Sequence, residues 1–211
     1  MLTIALPKGR LGNKVYKLFS SIGYPCKAME EDDRRLIIVD DENDLRYLLV
    51  KPSDVAIYVE HGAADIGVVG KDTLLEGQND VYELLDLKLG KCHMAEAAPV
   101  GYVEDVQRAL RVATKYPRIA KQFYSEQGRE IDVIKLNGSI EIAPLLGLSD
   151  VIVDIVETGT TLKQNNLYVT NKFLPISARM IANQSSMRFK GERISHIASQ
   201  MQTAVLAGEK E

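Results

Sequence analysis

A short segment in the last third of the chain, "DIVETGTTLK" at 154–163, combines carboxylates, hydroxyls and one glycine at the end of an apolar run. Its threonines and the backbone N–H groups around Gly159 are donors that can wrap phosphate oxygens at the start of a helix. Asp154 and Glu157 cannot face a phosphate, but they can accept hydrogen bonds from sugar hydroxyls or help hold a Mg2+ that the ligand brings. The segment therefore predicts a ribose 5-phosphate site, with a threonine-capped helix after an ordinary turn as the alternative.

A second segment, "LPKGRLG" at 6–12, places a glycine between two cations where an apolar run ends. Pro7 fixes the turn and Gly9 permits a close approach of the backbone. Lys8 and Arg10 are then suited to a phosphate or pyrophosphate group. The alternative is that both cations are simply solvated in a turn.

A third segment, "GVVGKDT" at 67–73, comes close to the phosphate-binding P-loop pattern but lacks the first glycine at the required spacing. This excludes a Walker-type nucleotide site. At the carboxyl end of a parallel strand, Gly70, Lys71 and Asp72 would nevertheless be placed to contact a ligand. The alternative is a strand-to-helix turn in which Asp72 is the N-cap.

Short apolar runs alternate with helical patterns along the chain. Runs rich in Ile and Val predict strands at 2–6, 35–39, 66–69, 131–136 and 151–155. Apolar residues at spacings of three and four predict helices at 11–22, 53–61, 118–127, 140–146 and 192–206. The alternation predicts an α/β protein with mainly parallel sheets that are covered on both faces, and chain crossovers near 89–98 and 173–177.

The composition excludes several classes of protein. With 211 residues, of which 45% are hydrophobic and 26% charged, the chain can form one sizeable core or two lobes. Its net charge of -3 gives no electrostatic footprint for nucleic acid. Cys26 and Cys92 form no metal-binding spacing with the three histidines, so reduced thiols are expected. Because the sequence has neither an export signal nor an apolar stretch of about 18 residues, we expect a cytoplasmic protein with no membrane partner.

The residues from Glu141 to Leu162, "EIAPLLGLSDVIVDIVETGTTL", carry a family resemblance. This span resembles the signature of the ATP phosphoribosyltransferases, the first enzymes of histidine biosynthesis, throughout its length. "LPKGRL", "YVEHGAADIGVVGKDTLLE" and "SARMIANQSS" resemble further segments of that family in the family's order. Long forms of the family carry an additional C-terminal regulatory domain, and this sequence, which stops at Glu211 after one helix pattern, resembles the short form.

The resemblance implies a fold and a reaction. The fold consists of two α/β lobes like those of type II periplasmic binding proteins, with the active site in the cleft between them. We therefore expect lobe I at 1–91 plus 177–211, and lobe II with the phosphoribosyl pyrophosphate loop at 92–176. The reaction transfers the 5-phosphoribosyl group of phosphoribosyl pyrophosphate to N1 of ATP. Mg2+ is expected to arrive with the substrates, without a metal site made by the protein alone.

The resemblance also assigns residues to the two substrates. Those expected to bind phosphoribosyl pyrophosphate are Asp154, Glu157, Thr158, Gly159, Thr160, Thr161 and Glu141. Those expected to bind ATP or pyrophosphate are Lys8, Gly9, Arg10, Arg35, Arg46, Gly70, Lys71 and Asp72. Which of the carboxylates binds the ribose stays open, and no catalytic residue is assigned.

Short-form enzymes imply partner chains as well. They work with a regulatory subunit related to histidyl-tRNA synthetase in a hetero-octamer, and a homodimer of catalytic chains is expected. Two other classes stay open. A transferase for a different base would share the threonine and glycine loop, and a solute-binding protein would share the two-lobed fold but should carry an export signal.

Overall fold

The computed structural model of the protein describes residues 1–29 and 34–208, which form two compact units. Unit 1 comprises Met1–Gly90 and Ser177–Glu211, and unit 2 comprises Lys91–Ile176. Lys91, which we expected in the first lobe, thus belongs to unit 2. The chain enters unit 2 and leaves it once, so unit 2 is an insertion into the sequence of unit 1.

Unit 1 contains six strands and four helices among the described residues. The strands are β1 Leu2–Pro7, β2 Ile37–Asp40, β3 Leu45–Val50, β4 Ile66–Gly70, β5 Tyr82–Asp86 and, after unit 2, β11 Ala178–Ala182. The helices are α1 Arg10–Ser21, α2 Val55–Glu60, α3 Lys71–Gly77 and α7 Gln184–Gly208, with a 3-10 turn at Lys27–Met29. The strand order is β2-β3-β1-β4-β11-β5.

Unit 2 contains five strands and three helices. The strands are β6 Cys92–Pro99, β7 Leu110–Thr114, β8 Ile131–Lys135, β9 Val151–Val156 and β10 Leu167–Ile176. The helices are α4 Pro117–Glu126, α5 Ile142–Leu145 and α6 Thr160–Gln164. The strand order is β10-β6-β9-β7-β8. No helix in residues 1–29 and 34–208 combines the length and the apolar character needed to cross a lipid bilayer.

Both sheets are mixed, whereas we predicted mainly parallel ones. Within the described residues, parallel pairing is confined to β1 with β3 and β4, and to β7 with β8 and β9. Strands β2, β6, β10 and β11 run antiparallel to their neighbours. The crossovers expected near 89–98 and 173–177 contain the two boundaries between the units, after Gly90 and after Ile176. Most of their residues belong to β6 and to the end of β10. These two strands are only partly buried, and polar residues interrupt their apolar ones, so a search for continuous apolar runs misses them.

The core of unit 1 lies on both faces of its sheet. Side chains alternate along β1, so that Leu2, Ile4 and Leu6 pack with α1 and α7 on one face, whereas Ala5 faces α2 on the other. Helix α7 contributes a buried stripe at helical spacing, made up of Ile194, Ile197 and Met201. In β1 and α7, the residues that face neighbouring elements of unit 1 are therefore apolar.

A buried carboxylate fastens α7 to the start of the chain. Asp65 is 7% exposed and accepts hydrogen bonds from the Thr3 amide at 2.7 Å and the Ser186 hydroxyl at 2.6 Å. Both of its oxygens also accept bonds from Lys190 Nζ, at 2.8 and 2.9 Å. Burial alone would raise the pKa of Asp65, but the bonds from Lys190 and Ser186 hold it below its ordinary value. Asp65 is therefore charged at neutral pH and joins three segments of unit 1.

A second buried carboxylate fastens the strands of unit 2 at their amino ends. Asp150, 7% exposed, lies just before β9 and accepts bonds from both terminal nitrogens of Arg108, at 2.7 and 2.9 Å. It also accepts bonds from the Arg111 guanidinium at 2.7 Å and from the Arg111 amide at 2.9 Å. Because Arg111 lies on β7, this ion-pair network joins β7, β9 and the segment before β7 at the edge opposite to residues 158–161.

Candidate functional site

Three cation-bearing segments of unit 1 follow the carboxyl ends of neighbouring strands. Pro7, the last residue of β1, pairs with Val50, the last residue of β3, and β1 is also parallel to β4. The segments after β1, β3 and β4 therefore meet at one edge of the sheet, where open α/β sheets bind their ligands. Gly70, at the end of β4, pairs with Ala178 at the start of β11, so β11 begins at the same edge.

The loop after β1 is short and depends on glycine. Gly9 has φ 97° and ψ −158°, a backbone conformation that favours glycine, and α1 begins at the next residue. The Lys8 amide donates to the Val50 carbonyl at 2.8 Å, which fixes this loop against the end of β3. Lys8 and Arg10 are both exposed at this edge. The structure thus brings the predicted residues Lys8, Gly9 and Arg10 to one strand end.

Helix α1 starts unusually close to the strand that precedes it. A Cβ added to Gly12 would lie 1.9 Å from the Pro7 carbonyl oxygen and 3.1 Å from its carbon. No side chain fits there unless the backbone moves. Gly12 therefore allows the helix to begin immediately at the strand end and fixes the position of the loop 8–10.

The segment after β4 has no loop. Strand β4 ends at Gly70 and α3 begins at Lys71, whose amide donates to the Ser177 carbonyl at 3.0 Å. Gly70 is the N-cap, so Asp72 is not the capping residue that we considered as an alternative; it lies in the first turn and is buried. Gly70, Lys71 and Asp72 thus lie together at the carboxyl edge, as residues of a strand end and a helix start.

Lys71 is engaged in an ion-pair network that the sequence did not indicate. Its Nζ lies 2.6 Å from Glu83 Oε2 on β5, and Arg179 on β11 contacts both Glu83 and Asp86 at 3.3 Å. Burial raises the pKa of Asp86, but hydrogen bonds from the Lys88 amide and Ser177 bring it below its ordinary value. Glu83 engages one of the three N–H donors of Lys71, so Lys71 can still donate to an anionic ligand, but Glu83 offsets part of its positive charge.

The other two predicted arginines of unit 1, Arg35 and Arg46, lie at different ends of the sheet. The Leu49 amide donates to the Leu36 carbonyl at 2.8 Å, so the preceding residue, Arg35, lies near the carboxyl end of β3. Arg46 pairs instead with Thr3, near the start of β1. The last residue of β3, Val50, lies four positions after Arg46, which is roughly 13 Å along a strand. The structure therefore brings Arg35 to the edge that carries loop 8–10, and it does not bring Arg46 there.

In unit 2, the hydroxyl-rich segment forms a tight turn at the carboxyl end of β9. Gly159 has φ 76° and ψ 7° in the left-handed region, and α6 begins at Thr160. Thr158 Oγ1 and Thr160 Oγ1 lie 3.0 Å apart within hydrogen-bond distance, and both residues are exposed, as is Thr161. Three hydroxyls thus lie on one exposed turn, which is the arrangement of donors that a phosphate requires.

The turn is anchored at both ends by apolar side chains. Val156 before it and Leu162 after it are both buried in the core of unit 2. Asp154, on the last part of β9, is half-buried, and its Oδ1 accepts a bond from the Ile155 amide at 2.8 Å. Glu157 is exposed. We call residues 154–161 the phosphate loop.

Glu141 occupies a separate position in unit 2. It precedes α5 at the N-cap with φ −58° and ψ −22°, and its side chain makes no capping hydrogen bond. Helix α5 packs against β6 and β9, so Glu141 lies on an element that contacts the strand of the phosphate loop. Within residues 1–29 and 34–208, no group of three or more His, Cys, Asp and Glu side chains is arranged to hold a metal ion.

Most of the chain is similar in sequence to one family of known enzymes. The sequence model of the HisG family, described as ATP phosphoribosyltransferase, matches residues 51–203. An ATP phosphoribosyltransferase from Brachyspira hyodysenteriae is 59% identical over 198 residues, which are 93% of this chain and 96% of that relative.

Two solved structures are similar to this chain, one in sequence and fold and the other in fold alone. A chain of the ATP phosphoribosyl transferase (HisG:HisZ) complex from Thermotoga maritima is 33% identical with a TM-score of 0.84, covering 98% of this chain and 100% of that one. A probable amino-acid ABC transporter extracellular-binding protein from Bacillus subtilis is 8% identical with a TM-score of 0.62, covering 98% and 92%. This second likeness confirms the predicted periplasmic-binding-protein-like fold and nothing more. Taken with the full-length identity to named relatives, the family match shows that the chain belongs to the ATP phosphoribosyltransferase family.

Proposed function

We propose that the chain is the catalytic subunit of an ATP phosphoribosyltransferase, which joins the 5-phosphoribosyl group to N1 of ATP in the first step of L-histidine biosynthesis. The observation that carries the proposal is the family match over residues 51–203, which contains the whole phosphate loop. In the reaction, the lone pair of adenine N1 forms a bond to C1 of the ribosyl group. The bond from C1 to the pyrophosphate oxygen breaks, and pyrophosphate leaves with that electron pair.

The phosphate loop supports a division of roles around the ribosyl group. The hydroxyls of Thr158, Thr160 and Thr161, with the backbone at Gly159, bind the 5-phosphate. Asp154, or with it Glu157 or Glu141, accepts hydrogen bonds from the ribose hydroxyls. No strong base is required, because adenine N1 is already unprotonated and nucleophilic at neutral pH. Catalysis then consists of orienting two polyanions and stabilising the departing pyrophosphate.

The carboxyl edge of unit 1 supplies the positive charge for the pyrophosphate and the ATP phosphates. Lys8 and Arg10 extend from the loop after β1, and Arg35 lies at the same edge. Lys71 also lies at this edge, where the ion pair with Glu83 offsets part of its positive charge. Mg2+ enters bound to the substrates, and the carboxylates of Asp154 and Glu157 are of the oxygen type that it prefers.

The proposal includes partner chains. The similar Thermotoga maritima chain was solved in a HisG:HisZ complex. We propose that this chain likewise works with a regulatory subunit, related to histidyl-tRNA synthetase, in a hetero-octamer that contains homodimers of the catalytic chain. The reaction belongs to the cytoplasm, where ATP and phosphoribosyl pyrophosphate are available.

The direct test is synthesis of the product. The purified chain, with and without the regulatory subunit, is mixed with ATP, phosphoribosyl pyrophosphate and Mg2+, and N1-(5-phosphoribosyl)-ATP is quantified. We expect product in at least one of the two mixtures and none when GTP replaces ATP. Absence of product in both mixtures, or equal pyrophosphate release with another base, would refute the proposed function.

Replacing Thr161 by Val should weaken the binding of phosphoribosyl pyrophosphate by roughly tenfold or more, because a hydrogen bond to a charged phosphate is lost. Thr161 is exposed and Val keeps its β-branched shape, so the thermal unfolding midpoint should stay nearly unchanged. Isothermal titration calorimetry measures the affinity. Thr161→Ser, which keeps the hydroxyl, is the control and should bind like the wild type; equal affinity of the Val variant would contradict the role of this hydroxyl.

A further inference from the structure

Lys115 lies beside the phosphate loop on the neighbouring strand. It follows directly after Thr114, the last residue of β7, which pairs in parallel with Val153 of β9. Adjacent strands are about 4.8 Å apart, and the carboxyl ends of parallel strands meet at one edge. Lys115 therefore lies at the same edge of the sheet as the phosphate loop, beside its first residue, Asp154.

A buried hydroxyl fixes the backbone on both sides of Lys115. Thr114 is fully buried, and its Oγ1 donates to the Val153 carbonyl at 2.6 Å. The same oxygen accepts a bond from the Tyr116 amide at 2.9 Å. Lys115 thus lies between Thr114 and Tyr116, which share a hydrogen bond through Thr114 Oγ1. The same hydroxyl is hydrogen-bonded to β9, the strand that leads into the phosphate loop.

The chain connections at this point are those of a ligand-binding crevice. After β7 the chain passes through α4 to β8 at one end of the sheet, whereas after β9 it passes through α6 to β10 at the other end. In open α/β sheets, ligands bind outside the carboxyl ends of the strands where the connections diverge in this way. The residues that follow β7 are therefore placed at the same crevice as the phosphate loop.

The charge of Lys115 is available to a ligand. Its side chain is exposed, and its Nζ lies over the ring of Tyr116, 5.7 Å from the ring centre. Within the described part of the chain, Lys115 has no carboxylate partner, in contrast to Lys71 with Glu83. The phosphate loop itself carries two carboxylates, so a bound phosphate needs a cation nearby to offset their repulsion.

We propose that the Lys115 ammonium binds the 5-phosphate that the phosphate loop holds, as a further substrate-binding residue. This proposal rests on the proposed function for the identity of the substrate. The lysine contributes a point charge on a flexible four-carbon stem, whereas the threonines contribute directed neutral donors. Together they neutralise and orient the phosphate.

The test uses binding rather than turnover. Ribose 5-phosphate, which carries only the 5-phosphate, and inorganic pyrophosphate are titrated by calorimetry into the wild-type chain and Lys115→Met. We expect ribose 5-phosphate to bind roughly tenfold or more weakly to the variant, and pyrophosphate to bind equally to both. Lys115→Arg should retain most of the affinity. Lys121→Met, an exposed lysine of α4, is the matched control and should bind like the wild type.

The other possible results contradict either the role of Lys115 or only the proposed enzymatic function. Unchanged affinity of Lys115→Met for ribose 5-phosphate, equal weakening for both ligands, or no binding of ribose 5-phosphate to the wild type would each overturn it. If Lys115→Met unfolds at a lower temperature than the wild type, Lys115→Gln is used in its place. If ribose 5-phosphate binding depends on Lys115 but no phosphoribosyl-ATP forms with the regulatory subunit, the proposed function fails and this binding site stands.

Discussion

Replacing Asp150 by Ala should lower the free energy of unfolding of unit 2 by about 3 kcal/mol, because it leaves Arg108 and Arg111 without the carboxylate that both bind. Breaking a fully buried ion pair costs more than this, but the two guanidinium groups are 45% and 39% exposed and are partly stabilised by water after the change. Urea unfolding followed by circular dichroism measures the loss. Glu130→Ala, an exposed carboxylate of the same unit, should unfold like the wild type.

The loss of stability caused by Asp150→Ala should depend on pH. The hydrogen bond from Arg108, and with it those from Arg111, hold the pKa of Asp150 well below its ordinary value. A carboxyl whose pKa is lowered by folding contributes its full stability above the pKa of the unfolded state, which is about 3.9. That contribution is lost as the pH falls below this value. The difference between wild type and Asp150→Ala should therefore be largest near neutral pH and shrink below about pH 4; a difference that grows in acid would contradict this assignment.

Replacing Gly12 by Ala should destabilise unit 1 by about 3 kcal/mol and weaken ATP binding. The new methyl group would lie 1.9 Å from the Pro7 carbonyl oxygen, which belongs to the backbone and cannot turn aside. Helix α1 must then move away from the end of β1, and the loop with Lys8 and Arg10 moves with it. Thermal unfolding and calorimetric titration with ATP measure the two effects.

Gly191→Ala is the matched control for this prediction. Gly191 lies in α7, directly after a kink at Lys190 (φ −128°, ψ 15°), and a Cβ added there meets no atom within 4 Å. The added methyl group therefore clashes with nothing, and this variant should be about as stable as the wild type. If both variants lost the same stability, a general cost of replacing a glycine in these helices, rather than the approach to Pro7, would explain the Gly12 result.

Apolar runs in the sequence located part of the two sheets. Strands β1, β4 and β9, which are largely buried, and β8, which is only partly buried, begin and end within one residue of the predicted runs. Strands β7 and β11 were not predicted although most of their residues are buried. Strand β10 escaped prediction, since its exposed positions interrupt the pattern with polar residues such as Asn171 and Lys172. Its place in the sheet comes from pairing with β6, which lies about 70 residues earlier in sequence and is invisible to a local pattern.

Some residues of the candidate site could be predicted from the sequence, and others could not. The donors of the phosphate loop are consecutive in sequence, so their chemistry was evident before the fold. The place of Lys115 could not be found like this, since it depends on the pairing of Thr114 with Val153, two residues that are distant in the chain. The ion pair of Lys71 with Glu83 was equally hidden, because no local pattern tells which strand lies beside α3.

The position of β11 has a consequence for the order in which the protein can fold. Strand β11 pairs with both β4 and β5, yet it is synthesised after the whole of unit 2. On the ribosome, β4 and β5 therefore emerge with unpaired edges, which are the surfaces at which strands aggregate. Unit 2 is continuous in sequence and can complete its sheet while unit 1 still waits for β11 and for the Asp65 bonds to α7. The inserted unit can therefore become native before unit 1, whose sheet is complete only after the carboxyl-terminal segment has left the ribosome.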